Sequence, residues 1–174
     1  MLVSKFLRAA LVPVKYTKAP LIKTPYRFFS TTGAMGDSEI TEDIKKDHRE
    51  LEEAYHKYKS APNMEEGKKW FNQFLWEICR HSVAEEVIMY NMLESIDDYG
   101  KQLSEESREG HRKLKVMLED LRKEKNDAEF DRKFDAVYKE LMDHIKLEEG
   151  EDLPYLQKNI SLEKRQAAAR VFAM

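Results

Sequence analysis

One cysteine, Cys79, occurs in the whole chain, so no intrachain disulfide can form. That usage fits a reducing compartment. Glycine and proline are almost as scarce, six and five in 174 residues, and Pro13, Pro20 and Pro25 all fall before residue 30. The rest of the chain is thus poor in turn residues and rich in Ala, Leu, Glu, Lys and Met, a composition that favours helices. No strand pattern, internal repeat or low-complexity segment is present. No apolar run approaches the ~20 residues needed to cross a bilayer.

Acidic residues are missing from the first 36 positions, which instead carry Lys5, Arg8, Lys15, Lys18, Lys23 and Arg27. A basic, hydroxyl-bearing, acid-free N-terminus has the marks of a mitochondrial transit peptide. The stretch RFFS predicts cleavage just before Ser30, and the matrix is the expected compartment. Residues 1–36 are therefore set apart from the fold. Removing those six cations from 30 leaves 24 against 33 acids, a formal −9 for the body. An acidic body argues against a nucleic-acid partner.

The body suits one globular domain with a single core. Periodicity predicts four helices. Helix A covers Ser38 to Lys59, with Ile44, His48, Leu51, Tyr55 and Tyr58 on one stripe, and SAPN breaks the chain after it. Helix B covers Glu65 to Ile96, where Phe74, Ile78, His81, Glu85, Ile88 and Met92 recur at steps of four and three. After DDYGKQLS, Ser104 is the expected N-cap of helix C, which carries His111, Leu114, Leu118 and Leu121 on one face. Helix D covers Asp127 to Glu149, with Phe130, Phe134, Val137, Leu141, His144 and Glu148 in line and Gly150 as its stop. Short connections imply an all-α, up-down-up-down four-helix bundle over residues 37–160. Ser161 is the expected cap of a short C-terminal helix, 161–174, lying across it.

Each main helix places one histidine on its inward stripe: His48, His81, His111 and His144. Helices B and D add Glu85 and Glu148 one turn further on. An ionised carboxylate costs several kcal/mol to bury without a compensating cation, and no lysine or arginine shares these stripes. A dinuclear metal centre removes the difficulty, with the carboxylates bridging and the imidazoles supplying nitrogen. Mixed nitrogen and oxygen donors with open positions suit iron better than magnesium or calcium; zinc or manganese also fits. Counted from the connections, His111 and His144 share a level. His48 and His81 do not, which requires a tilted or non-helical entry to helix B through SAPNMEEG.

The order His on A, His-x3-Glu on B, His on C and His-x3-Glu on D resembles the hemerythrin-like, HHE cation-binding family, over roughly residues 38–156. The resemblance implies a four-helix bundle with a non-haem, oxo- or hydroxo-bridged di-iron centre. By that analogy His48 and His81 hold one iron, His111 and His144 the other, and Glu85 and Glu148 bridge. The chain departs from oxygen-carrying members, which have a second histidine on helix C. Here the positions four before and after His111 are Ser107 and Lys115. Those carriers also place an aspartate where this chain has Glu149; Glu148 repeats the spacing of helix B and is the preferred bridge.

The leading functional reading is a mitochondrial di-iron protein that binds iron and reacts with or senses dioxygen. Two others are a di-iron oxidase or peroxidase, with Tyr55, Ser82 and Tyr138 as candidate proton donors, and an iron-responsive interaction module ordered by metal. Among the remaining residues, Glu86, Glu149 and His56 read as surface groups. Cys79 reads as a small buried hydrophobe, and Trp70, Phe71, Phe74 and Trp76 read as packing.

Overall fold

Of the few turn residues, Pro62 lies between two helices and Gly67 and Gly100 in first turns, while Gly110 and Gly150 lie within helices. The computed structural model describes residues 38–172, all helices and short connections with no strand among them. The expected transit peptide, 1–36, lies outside the described residues. Helix α1 (Ile40–Lys59) ends at Ser60, whose hydroxyl donates to the His56 carbonyl at 2.9 Å. Asn63 caps α2 (Met64–Ala84) by accepting the Glu66 N–H. Asp97 caps α4 (Asp98–Lys123) through the Gly100 N–H, and Asn126 caps α5 (Asp127–Leu147) through the Glu129 N–H. Each such cap stabilises its helix by about 1 kcal/mol.

These caps correct two expectations. Helix C starts at Asp98, not Ser104, because Asp97 satisfies its first turn. Ser104 is buried, and its hydroxyl reaches the Lys101 carbonyl and the Glu94 carboxylate. The entry to α2 is helical from Met64. Gly67 in its first turn lies against Tyr58 near the end of α1; a Cβ there would meet that ring at 3.3 Å.

Two of the helices are interrupted without being broken. Helix α2 passes through a π-helical segment, Glu85–Met89, into α3 (Tyr90–Glu94). Helix α5 passes through a second, Glu148–Asp152, into α6 (Leu153–Asn159). In each the wide turn is closed five residues on: the Tyr90 N–H bonds the Glu85 carbonyl, and the Leu153 N–H bonds the Glu148 carbonyl. Gly150 therefore does not stop helix D, and Pro154 sits in the first turn of α6, where a missing N–H is tolerated. The extra residue also shifts the buried face. Met89, Tyr90 and Leu93 are buried, whereas the expected Ile88 and Met92 are only partly so.

The helices form an up-down-up-down four-helix bundle, with the short α7 (Leu162–Phe172) packed on α1. Arg165 of α7 pairs with Glu39 just before α1. Two apolar clusters fill the interior. One is built around Phe134, which meets Tyr58, Phe71 and Phe74 edge-on, with Leu51, Leu118 and Leu141. The other gathers Ile40, Ile44, Met89, Leu93, Leu103, Leu153 and Phe172. Trp76 and Cys79 are exposed, contrary to expectation, because both lie on the outward face of α2. No helix of the described residues is long and apolar enough to cross a membrane.

Candidate metal centre

The six side chains singled out by spacing meet in one buried polar layer. His48, Glu85 and Glu148 are fully buried, and His81, His111 and His144 nearly so. Donor atoms of His48, His81, Glu85 and Glu148 lie within 4.8 Å of one another, as do those of Glu85, His111, His144 and Glu148. The two carboxylates are common to both groups. The imidazoles pair off across them: the His48 and His81 rings are 4.9 Å apart and the His111 and His144 rings 4.7 Å apart, each edge to face.

All four Nε2 atoms point at the carboxylates. His81 Nε2 is 3.1 Å from Glu85 Oε2, and His111 Nε2 is 3.4 Å from the same oxygen. His48 and His144 each place Nε2 3.4 Å from an oxygen of Glu148. The Nδ1 atoms point away, and three of them face an acid. His48 Nδ1 is 2.8 Å from Glu149, His111 Nδ1 is 3.1 Å from Glu86, and His81 Nδ1 is 3.4 Å from Asp47. Each acid is balanced from outside by a cation: Arg49 on Glu149, Lys115 on Glu86 and Arg80 on Asp47. The hydrogen-bonded acids at His48 and His111 keep the proton on Nδ1 and leave the Nε2 lone pair free to ligate, while Asp47 faces His81 Nδ1 without a hydrogen bond. At His144 the same edge is packed closely instead. A Cβ on Gly110 would come within 2.8 Å of its Nδ1.

Seven buried atoms of this layer have no hydrogen-bond partner: His48 Nε2, both His81 nitrogens, both Glu85 oxygens, His144 Nε2 and Glu148 Oε2. Unpaired groups so deep are costly unless something else satisfies them. The donor set, imidazole nitrogen plus shared carboxylate oxygen, suits a pair of transition-metal ions. The acid–base state of the metal-free layer agrees. Burial favours a neutral His48, but Glu148, Glu85 and Glu149 outweigh it and raise its pKa to about 9. Burial prevails at His81, lowering it to about 4, and it also lowers His111 and His144. Burial and the neighbouring Glu148 hold Glu85 well above the carboxylate range. At Glu148 the imidazoles of His144, His48 and His81 overcome burial and hold it well below. Protons thus occupy the role that cations would take.

Several residues of the site are not on the predicted stripes. Glu86 and Glu149, expected at the surface, are half-buried partners of the imidazoles; their place beside Glu85 and Glu148 in two EE pairs was the available signal. Glu148, not Glu149, faces the centre. Tyr90 is fully buried and donates to Glu148 Oε1 at 2.8 Å. Asp152 is buried, accepts from Ser107 at 2.6 Å and is raised by burial to about 7. Of the expected proton donors, Tyr55 bonds Asp135 and stacks on Tyr138, neither touching the layer. Ser82 lines an apolar cavity of about 100 Å³ with Ile78, Val83, Leu114 and Leu118, which reaches His111.

Comparison with known proteins agrees with this geometry. Residues 39–156 match the model of the hemerythrin HHE cation binding domain. The chain is 38% identical over 127 residues to an uncharacterized hemerythrin-like protein of Schizosaccharomyces pombe (strain 972), covering 72% of this chain and 63% of that relative. This chain thus aligns with less than two thirds of that relative's length. No solved structure gives a significant match.

Proposed function

Because the chain belongs to the hemerythrin HHE cation-binding family, we propose that it is a non-haem di-iron protein that binds iron and reacts with or senses dioxygen. His48 and His81 would hold one iron, His111 and His144 the other, with Glu85 and Glu148 shared. The observation that carries this reading is the set of buried, unpartnered Nε2 and carboxylate atoms converging from four helices. Two ferrous ions held there would supply one electron each to dioxygen. The protein's own part is to orient the four imidazoles through Glu149, Glu86, Asp47 and the packing of Gly110 on His144. It also keeps bulk water out with an apolar cluster on each side. The cavity at His111, about 100 Å³ and lined by Ser82, Cys79 and Lys115 as well as apolar side chains, has room for a small molecule only. Residues 1–36 would direct the protein to the mitochondrial matrix, and a reporter fused to them that stays cytosolic contradicts this.

Anaerobic titration with Fe(II), followed by stopped-flow mixing with dioxygen, tests the central reading. Two irons taken up per chain and prompt oxygen consumption are expected. Iron uptake without oxygen consumption removes the oxygen chemistry, and no iron uptake removes the whole reading.

A further inference from the structure

The geometry points to Tyr90 as a seventh protein ligand, binding as phenolate to the iron between His111 and His144. This inference rests on the di-iron reading above and adds a donor to one half of the site. The Tyr90 hydroxyl is 3.1 Å from His111 Nε2 and 2.8 Å from Glu148 Oε1. Ligands bound cis on one octahedral ion at about 2.1 Å lie about 3 Å from each other. The hydroxyl therefore has the spacing of a neighbour in the same coordination shell.

Its side of the layer matters as much as its distance. The groups that only orient imidazoles, Glu149, Glu86 and Asp47, all approach Nδ1, the edge away from the centre. Tyr90 alone among the described tyrosines approaches an Nε2, on the edge that faces the carboxylates. The π-helical segment puts it there. Five residues beyond Glu85, a regular α-helix would turn residue 90 about 140° away from that glutamate. The wide turn bonds the Tyr90 N–H to the Glu85 carbonyl instead, and the fully buried ring points inward. The Arg108 guanidinium lies 5.2 Å over that ring. Without metal, burial and the Glu148 and Glu85 carboxylates hold the phenol protonated well above its ordinary value, so the charge of a bound ion is what would release its proton to solvent.

The consequence is chemical. His111, His144, Glu85 and Glu148 give that ion four protein donors, and Tyr90 makes five. A phenolate is a hard anionic donor that favours ferric over ferrous iron. A centre so biased suits sensing or one-way oxidation better than reversible oxygen carriage, which must return to the ferrous state.

The test uses the full chain loaded anaerobically with two equivalents of Fe(II) and then oxidised with ferricyanide. Phenolate-to-ferric charge transfer should appear in the visible spectrum. Resonance Raman excited in that band should show tyrosine ring modes that shift when the protein is made with ring-deuterated tyrosine. Tyr90→Phe keeps the ring and its packing, and should lose at least nine-tenths of the band. Two bound irons with no such modes, or a band that survives in Tyr90→Phe, overturns the ligand assignment alone. Failure to bind iron, read from metal analysis of the same sample, overturns the di-iron reading and this one with it. If Tyr90→Phe does not fold, the isotope shift in the unmodified sequence decides.

Discussion

At the scale of single residues, a ligand is held as much by what lies behind it as by what lies in front. Gly110 is the plainest case. Alanine there would gain up to about 1 kcal/mol of helix propensity. Its Cβ would, however, press within 2.8 Å of His144 Nδ1 and turn a ring that has no acid to hold it. Gly110→Ala should leave metal-free stability within about 1 kcal/mol of the original while weakening metal binding about 10- to 100-fold, a typical cost of disturbing such support. Competition with a chromophoric chelator, paired with urea unfolding, measures both; unchanged affinity would show that the close packing is incidental. The six central residues were legible in the sequence because a histidine or glutamate on an otherwise apolar stripe stands out at steps of three and four. Asp47 and Gly110 were not, because each acts across a helix interface that no local pattern records, and for Glu86 and Glu149 the EE pairs were the one local sign of a role that is also played across an interface.

At the scale of elements, the two π-helical segments follow one rule. After Glu85 the buried residues are Met89, Tyr90 and Leu93; after Glu148 they are Asp152, Leu153 and Leu156. Both sets fall four, five and eight residues on. With one residue removed they would fall three, four and seven on, the inward stripe of a regular α-helix. Each segment is thus an α-helical stripe carrying one extra residue beside a central glutamate. Deleting Val87, which is 62% exposed, should therefore restore a regular helix and change stability by only about 1 kcal/mol. Deleting the still more exposed Val116 (71%) from α4, which has no such turn, should cost about 3 kcal/mol or more by rotating Leu118 and Leu121 out of the core. Equal damage in urea unfolding would rule out the extra-residue account. Helix positions and the bundle were readable from periodicity. The π segments were not, since EEVIM contains no breaker, and the Gly150 and Pro154 of the second read as a stop.

At the scale of the whole molecule, a charged layer separates two apolar clusters, so its ionisation is tied to folding. Without metal, folded His48 keeps its proton up to about 9, whereas its ordinary value is 6.5. The folded state then binds more protons than the unfolded one across that interval. The contribution of His48 is fully present below pH 6.5 and is lost as pH rises through 9. Glu85, also raised, acts in the same direction as pH increases. The urea midpoint of metal-free protein should fall between pH 6.5 and 9, and fall much less once cations replace those protons. A flat metal-free profile would mean that His48 is not protonated in the fold. The most direct measurement of the central claim is an anomalous difference map at the iron edge from crystals of the iron-loaded protein. Two peaks about 3.5–4 Å apart are expected, one between His48 and His81 and one between His111 and His144, with Glu85 and Glu148 touching both. A single peak, or density away from these six side chains, would contradict a dinuclear centre.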